Sequence, residues 1–364
     1  MTDLSALTTM RVGGPARELV VAATEAELIA AAHEVWGGVE DWLLLGGGSN
    51  MIVADEGFDG TVIHVATRGV ERLPSEAGRV RLRVQAGEPW DALVAHAVDQ
   101  GWAGIEALSG IPGSTGAAPI QNIGAYGQEL SSVLVAIDFL DYLDGDVQRL
   151  STADLALDYR TSVIKQGRQG IVLAVELELV ETGDGLGTPV AYDQLAGALG
   201  VAIGERVSLR QARDAVIALR ASKGMVLDPA DQDSVSAGSF FTNPIVGENF
   251  ARTLPEAAPR WPMQIDPADQ VVPLGYEPAT PLQAHDTRVK LSAAWLIERA
   301  GIGKGFRLPG SRAAVSSKHT LAITNTGGAT ADEVAQLARF IHTRVFSEFG
   351  VRLQAEPNLV GLEL

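Results

Sequence analysis

The sequence contains no cysteine. That absence excludes disulfides, thiolate metal sites and cysteine nucleophiles together, and it fits the cytosol. No apolar run is long enough to span a bilayer. The opening residues 1–11 lack a basic stretch followed by an apolar one, so no signal peptide is expected. Basic residues are in deficit: 28 Lys plus Arg stand against 45 Asp plus Glu, a formal charge of −17. The arginines are scattered rather than gathered, and such a chain repels nucleic acid and anionic lipid. Metal-ligand spacing is missing as well. His33, His64, His96, His285, His319 and His342 stand alone, and each reads as an isolated surface or core histidine. There is no Gly-x-Ser-x-Gly elbow between a strand and a helix, no dinucleotide fingerprint and no Walker lysine.

Glycine, by contrast, is in excess: 40 of 364 residues, about 11% against a usual ~7%. Either tight turns abound or backbone approaches a large ligand closely. The length suits two or three domains. A hydrophobic fraction of 46% and a charged fraction of 20% are ordinary for a globular chain.

The hydropathy pattern is mixed. Residues 19–22, 42–45 and 61–65 read as strands, and Thr24 with Glu27 forms a capping box for a helix after the first. Val80, Leu82 and Val84 alternate with Arg81, Arg83 and Gln85, as in a half-buried strand. Trp90, Leu93, Val94, Ala97 and Val98 follow at helical spacing, and Gly101 stops that helix. Residues 133–143 and 171–180 read as long apolar strands, and 182–189 as a Gly-rich connection. Ser208 with Gln211 opens a helix to about residue 221. Residues 228–236 are polar and turn-rich. Residues 255–281 carry seven prolines and read as an irregular excursion. Helices are expected over 290–300 and, behind Thr330 and Glu333, over 331–349. A short strand is expected over 351–360.

Two glycine loops stand out. Gly46-Gly47-Gly48-Ser49-Asn50 follows a buried strand. Successive glycines let amides converge on an anion, although a plain tight turn is the better reading of a lone triple glycine. The run from Gly110 to Gly127 contains mostly small, amide and turn-forming residues. It cannot pack a helix of its own, but it can line an extended polar ligand at backbone distance; an ordinary long loop is the other reading. Three polar spots are separate in sequence: Asp158-Tyr159-Arg160, Gly238-Ser239-Phe240-Phe241-Thr242-Asn243-Pro244, and Ala355-Glu356-Pro357. Alone, each is unremarkable.

Taken in order and spacing, these segments resemble the UDP-N-acetylenolpyruvoylglucosamine reductases over essentially the whole chain. The matching motifs begin at Thr8-Thr9-Met10-Arg11-Val12-Gly13-Gly14. They include both glycine loops, Tyr159-Arg160-Thr161-Ser162, the Ser239 segment, Lys290-Leu291-Ser292-Ala293-Ala294-Trp295-Leu296-Ile297-Glu298, and Glu356. The resemblance implies an α+β fold: two FAD-binding subdomains of the vanillyl-alcohol-oxidase type and a C-terminal α/β substrate domain. The expected bounds are 1–67, 68–228 and 229–356, with 357–364 packing back toward the FAD domains. Tyr192 matches the Tyr-bearing extra loop of the family's first type.

The resemblance also implies the chemistry. NADPH gives hydride to FAD. The flavin N5 then gives hydride to C3 of the enolpyruvyl group of UDP-N-acetylglucosamine enolpyruvate, forming UDP-N-acetylmuramate. Arg160 is carried over as the cation on the carboxylate, where charge builds. Glu356 is its partner, and must be protonated or share a proton to help there. Ser239 is the acid that protonates C2, coupled to Lys223 or to a proton-conducting network. FAD contacts are expected at Gly46, Gly47, Gly48, Ser49, Asn50, Ile111, Pro112, Gly113, Ser114, Gly116, Ala117, Asn122, Gly124, Ala125, Tyr126, Gly127 and Val172. Substrate contacts are expected at Tyr159, Tyr192, Lys223 and Asn243, and no metal. The segment after Lys223 is two residues longer than the Lys-Leu-Pro-Asp-Pro of many members, and Asn358 stands where some carry an Arg, so no flavin contact is assigned there. A cytoplasmic monomer is expected. Two other readings stand beside this one: an FAD-dependent oxidase of a small hydroxylated substrate, and a non-catalytic sugar-nucleotide sensor.

Overall fold

The computed structural model describes residues 2–263 and 288–364. Strands Ala16–Ala22, Trp42–Leu45 and Phe58–Val65 form a parallel three-stranded sheet with Phe58–Val65 at its centre. Helix Glu25–Trp36 starts at the Thr24–Glu27 capping box. Its Leu28, Ala31 and Ala32 pack with Ile63 of this sheet and with Leu140, Ile171 and Leu173 of the next.

The second sheet is antiparallel, in the order Val147–Ser151, Leu134–Asp141, Gly170–Glu181, Arg79–Gln85, Val70–Leu73, with Trp102–Ala103 also pairing with Gly170–Glu181. The alternation of Arg79–Gln85 decides its orientation. Val80, Leu82 and Val84 are buried in one core with Trp90, Leu93, Val94, Ala97 and Val98 of helix Trp90–Asp99. On the other face, Arg81 pairs with Glu176, and Arg83 with Glu25 and Asp138.

The remaining part holds two antiparallel three-stranded sheets. One has the order Ser236–Ser239, Ala322–Asn325, Ala313–Val315; the other has Ile245–Gly247, Arg288–Leu291, Arg260–Met263. Helices Ala293–Arg299 and Ala331–Phe349 share their core, and Met10, Val12 and Ile52 enter it from the N-terminal part. The Asp55 carboxylate also accepts from the first-turn N–H groups of Ala331 (2.8 Å) and Asp332 (3.0 Å), where an anion suits a helix start. At the chain's end, Asn358–Val360 pairs in parallel with Met51–Val53, so the terminus closes onto the first glycine loop.

Three expectations shift. The helix expected from 290 starts at Ala293, because Lys290 and Leu291 belong to strand Arg288–Leu291, flanked on both sides, and Ser292 caps the helix. The strand expected over 351–360 shortens to Asn358–Val360, with one isolated bridge between Phe241 and Ala355. Residues 264–281 of the Pro-rich stretch lie outside the described residues, as does His285. The described end of that stretch is ordered as Arg260–Met263, and Pro262 fits there because the strand is at an edge.

Candidate functional site

The first glycine loop leaves strand Trp42–Leu45 and meets the second loop backbone to backbone. A Cβ on Gly47 would lie 2.7 Å from the Gly113 Cα, and a Cβ on Gly46 would collide with the Ser114 side chain. The Ser49 hydroxyl donates to the Pro112 carbonyl (3.1 Å), which ties the loops together. Among the described residues, the N–H groups of Gly47, Gly48, Ser49 and Asn50 find no acceptor. Four successive unpaired donors make a cradle for an anion.

The cleft over this cradle is lined by residues 44–51, Ser114, Gly116, Ala117 and Val172, with Val65, Ala86, Ile120, Ile171 and Asn358. None of these side chains is charged. Amide donors beside apolar walls fit a diphosphate joined to a flat ring system, so the residues present suit FAD. Asn358, which the sequence left without a flavin contact, is on this lining.

A second cavity adjoins the first through Ser49 and Asn50, which line both. It gathers Arg160, Ser239 and Glu356 with Ile111, Pro112, Gly124 and Arg220. Three local devices bring the trio together. Strand Ser236–Ser239 shifts register between Ser236 and Ser239, with Gly238 at φ +74°, and such a bulge re-aims the residue after it. Phe240 and Phe241, both 1% exposed, anchor the chain just beyond Ser239. The Glu356 N–H donates to the Phe240 carbonyl (2.9 Å), which draws the tail to the serine loop.

Arg160 sits in a left-handed conformation (φ 55°) in the turn bridged by Asp158 and Thr161. Its Nη1 and Nη2 donate to the carbonyls of Asn122 (3.2 Å) and Gly124 (2.5 Å), and its Nε lies 3.6 Å from Glu356 Oε1. The guanidinium fork is therefore half committed to the second glycine loop, and each terminal nitrogen keeps one further N–H.

The Glu356 side chain is 18% exposed. Burial pushes its carboxyl above the ordinary range, against the opposing pull of Arg160 and Lys165. The folded state thus holds this proton more tightly than the unfolded chain does. That contribution to stability is full below the ordinary glutamate range and is lost as pH rises through the raised folded value. Glu356→Gln keeps the neutral shape and removes the titration. Its melting temperature relative to the parent is expected to climb as pH is raised from about 4 to about 8, across the carboxylate range. Thermal melts across that range check it; a constant offset contradicts it.

The substrate-assigned residues divide between two places. Tyr159 and Asn243 line a third cleft, which shares Arg160 with the cavity. The Asn243 Oδ1 accepts from the Ala293 N–H (3.0 Å), and the Lys290 Nζ lies 4.8 Å from the Tyr159 ring centre. Tyr192 packs edge-on to Tyr126 (5.7 Å), with the Lys223 Nζ 5.6 Å from the Tyr126 ring centre. Tyr126 therefore sits with Tyr192 and Lys223 rather than over the glycine cradle. Lys223 donates to Gln194 Oε1 (2.8 Å), not to Ser239.

Of the other cofactor-assigned residues, Gly113 lies beneath Ser49 at φ +115°. Asn122 is buried and accepts from the Ser131 N–H. Ala125 belongs to a short hairpin with Gln128–Glu129, and Gly127 faces a separate cleft. Two residues near the trio gave no local signal. Arg220 needs the fold to reach the cavity. His319, read as isolated, has its Nε2 3.4 Å from the Ser239 Oγ. No group of His, Asp and Glu among the described residues could hold a metal ion, and no described helix is long and apolar enough to cross a membrane.

Comparison with known proteins agrees with this layout. Residues 16–151 match the profile of an FAD binding domain. Residues 228–360 match that of the UDP-N-acetylenolpyruvoylglucosamine reductase C-terminal domain. The UDP-N-acetylenolpyruvoylglucosamine reductase of Leifsonia xyli is 62% identical, with 100% of each chain covered. That of Saccharopolyspora erythraea is 50% identical over 99% of this chain and 95% of its own. The crystal structure of the Thermus caldophilus UDP-N-acetylenolpyruvylglucosamine reductase aligns with a TM-score of 0.62 at 26% identity, covering 99% of this chain and 97% of that one. Matched from end to end, the chain belongs to the UDP-N-acetylenolpyruvoylglucosamine reductase family.

Proposed function

We propose that Ser239, Arg160 and Glu356 carry the reduction in the cavity beside the glycine cradle. The chain itself is an FAD-containing, NADPH-dependent oxidoreductase. It reduces UDP-N-acetylglucosamine enolpyruvate to UDP-N-acetylmuramate in peptidoglycan precursor synthesis. The observation that supports the assignment is that all three side chains line one cavity, which shares Ser49 and Asn50 with the cleft that suits FAD.

Bound in that cleft, FAD supplies a hydride carrier between NADPH and the enolpyruvyl carbon. Arg160 places a fixed positive charge beside the substrate carboxylate, where negative charge grows as the double bond is reduced. Glu356, which burial pushes toward its protonated form, donates a hydrogen bond to the same carboxylate or shares a proton with it instead of repelling it. Ser239 gives its proton to C2. Tyr159 and Asn243 contact the substrate from the third cleft, Tyr192 contacts it from beside Tyr126, and Lys223 lies near its diphosphate. We further assign the FAD-binding parts to residues 1–67 and 68–228 and the substrate part to 229–356, with 357–364 returning to the cradle, in a cytoplasmic monomer.

Arg160→Lys tests the assignment. Lysine keeps the charge but loses the planar fork and both carbonyl contacts. Re-oxidation of the reduced enzyme by the enolpyruvyl substrate is expected to slow roughly a hundredfold, the scale of removing one preorganised donor. Stopped-flow absorbance measures it, and a parental rate rejects the role.

A further inference from the structure

We infer that His319 is a positioning residue for Ser239, holding the serine hydroxyl as a proton donor and stabilising the charge it acquires. This rests on reading Ser239 as the group that protonates the substrate. The distance from His319 Nε2 to Ser239 Oγ is 3.4 Å, long for a resting contact but within reach of a group that tightens when substrate binds.

The fold places this histidine. Strand Ser236–Ser239 lies beside Ala322–Asn325, with Ser239 opposite Ala322, and the Phe240 N–H donates to the Leu321 carbonyl (2.7 Å). The turn that joins Ala313–Val315 to Ala322–Asn325 therefore overhangs Ser239, and His319 is in that turn.

The turn is pinned from below. Asp233 accepts from the Ser316 hydroxyl (2.7 Å), the Ser317 N–H (2.7 Å) and the Ser317 hydroxyl (2.6 Å). The Lys318 Nζ pairs with Asp231 (2.8 Å), and the Thr320 hydroxyl donates to Glu298 (2.6 Å). The Ser316 Oγ in turn accepts the N–H of His319 itself (3.1 Å). A catalytic constellation needs this kind of support from behind.

Burial, with Lys223 and Lys304 nearby, lowers the His319 pKa to about 4, so the ring is neutral in neutral solution. A neutral ring carries one N–H. With that hydrogen on Nε2, the ring donates to Ser239 Oγ and leaves the serine's own O–H free to face the cavity. As the O–H bond breaks toward C2, its electron pair stays on Oγ, and the Nε2–H bond strengthens onto it. Water then returns a proton to Oγ. The nearby Lys223 and Lys304 ammonium groups favour the same negative charge.

The test measures both half-reactions of the holoenzyme for His319→Ala, His319→Gln, Ser239→Ala and the double variant. In His319→Ala, NADPH is expected to reduce the flavin at the parental rate. Re-oxidation by the enolpyruvyl substrate is expected to slow roughly a hundredfold with KM little changed, as when one preorganised donor is lost. His319→Gln, whose amide can donate, is expected to recover much of that loss. In the Ser239→Ala background, His319→Ala is expected to add almost nothing. Parental re-oxidation in His319→Ala overturns the inference. So does a rise in KM alone, and so does a full additional loss in the double variant. If His319→Ala holds no flavin, His319→Gln and its double variant decide by the same comparison. A parental Ser239→Ala would reject the serine reading itself, whatever His319 does.

Discussion

Replacing Ser239 by alanine is expected to leave a yellow protein that NADPH still bleaches. The enolpyruvyl sugar nucleotide should then restore the colour about a thousandfold more slowly than in the parent, within the range for loss of a general acid. At about 1.4 kcal/mol per factor of ten, that is about 4 kcal/mol of barrier. The fold gives little reason for a wider effect. Among the described residues, the Ser239 Oγ has one hydrogen-bond contact, to His319. The bulge that presents it depends on Gly238, and the anchoring of the loop on Phe240 and Phe241. Alanine leaves all of these in place. Stopped-flow absorbance separates the two half-reactions; parental re-oxidation contradicts the assignment.

Gly47→Ala is expected to yield a protein that folds but purifies with little flavin. The added Cβ would lie 2.7 Å from the Gly113 Cα, 2.9 Å from its carbonyl carbon and 3.2 Å from the Ser114 nitrogen. All three are backbone atoms, so no side chain can swing aside, and the two glycine loops must part. They are the two sides of the cleft that suits FAD. Overpacking against such a wall costs about 3 kcal/mol, which is a little over a hundredfold in FAD affinity. Gly47 is the informative position because space alone is at issue there. Gly48, by contrast, also has φ +59° and would meet the Leu7 carbonyl. Gly183→Ala is the control, since a Cβ there meets nothing within 4 Å. The ratio of flavin to protein absorbance, followed by titration of the stripped protein with FAD, measures the effect. Parental FAD content in Gly47→Ala contradicts the cradle.

Much of the fold is legible residue by residue where the signal is local. The Thr24–Glu27, Ser208–Gln211 and Thr330–Glu333 capping boxes all form, and helix Ala331–Phe349 has the bounds its sequence implies. The alternation of Arg79–Gln85 places Val80, Leu82 and Val84 inside. Local pattern misleads where tertiary pairing outweighs it. Lys290 and Leu291 lie at the head of an apparent helix, yet strands on both sides draw them into a sheet.

The site divides in the same way. The first glycine loop is readable because its composition is itself the device: four amides without acceptors need residues that leave room. Nothing local singles out Arg160, Ser239 or Glu356; their roles came from the family resemblance. Their meeting depends on a bulge and a terminal strand made by contacts distant in sequence, and on a left-handed turn whose arginine reaches back to the second glycine loop. The place of His319 is hidden from the sequence for the same reason. A histidine without a neighbouring ligand looks idle until a hairpin turn folds it over a serine.

The most direct test of the account is a visible spectrum of the purified protein under anaerobic conditions, first with NADPH and then with UDP-N-acetylglucosamine enolpyruvate. A flavin spectrum that NADPH bleaches and that the enolpyruvyl sugar nucleotide restores without oxygen is the expected result. A flavin that bleaches and recovers only when oxygen is admitted contradicts it.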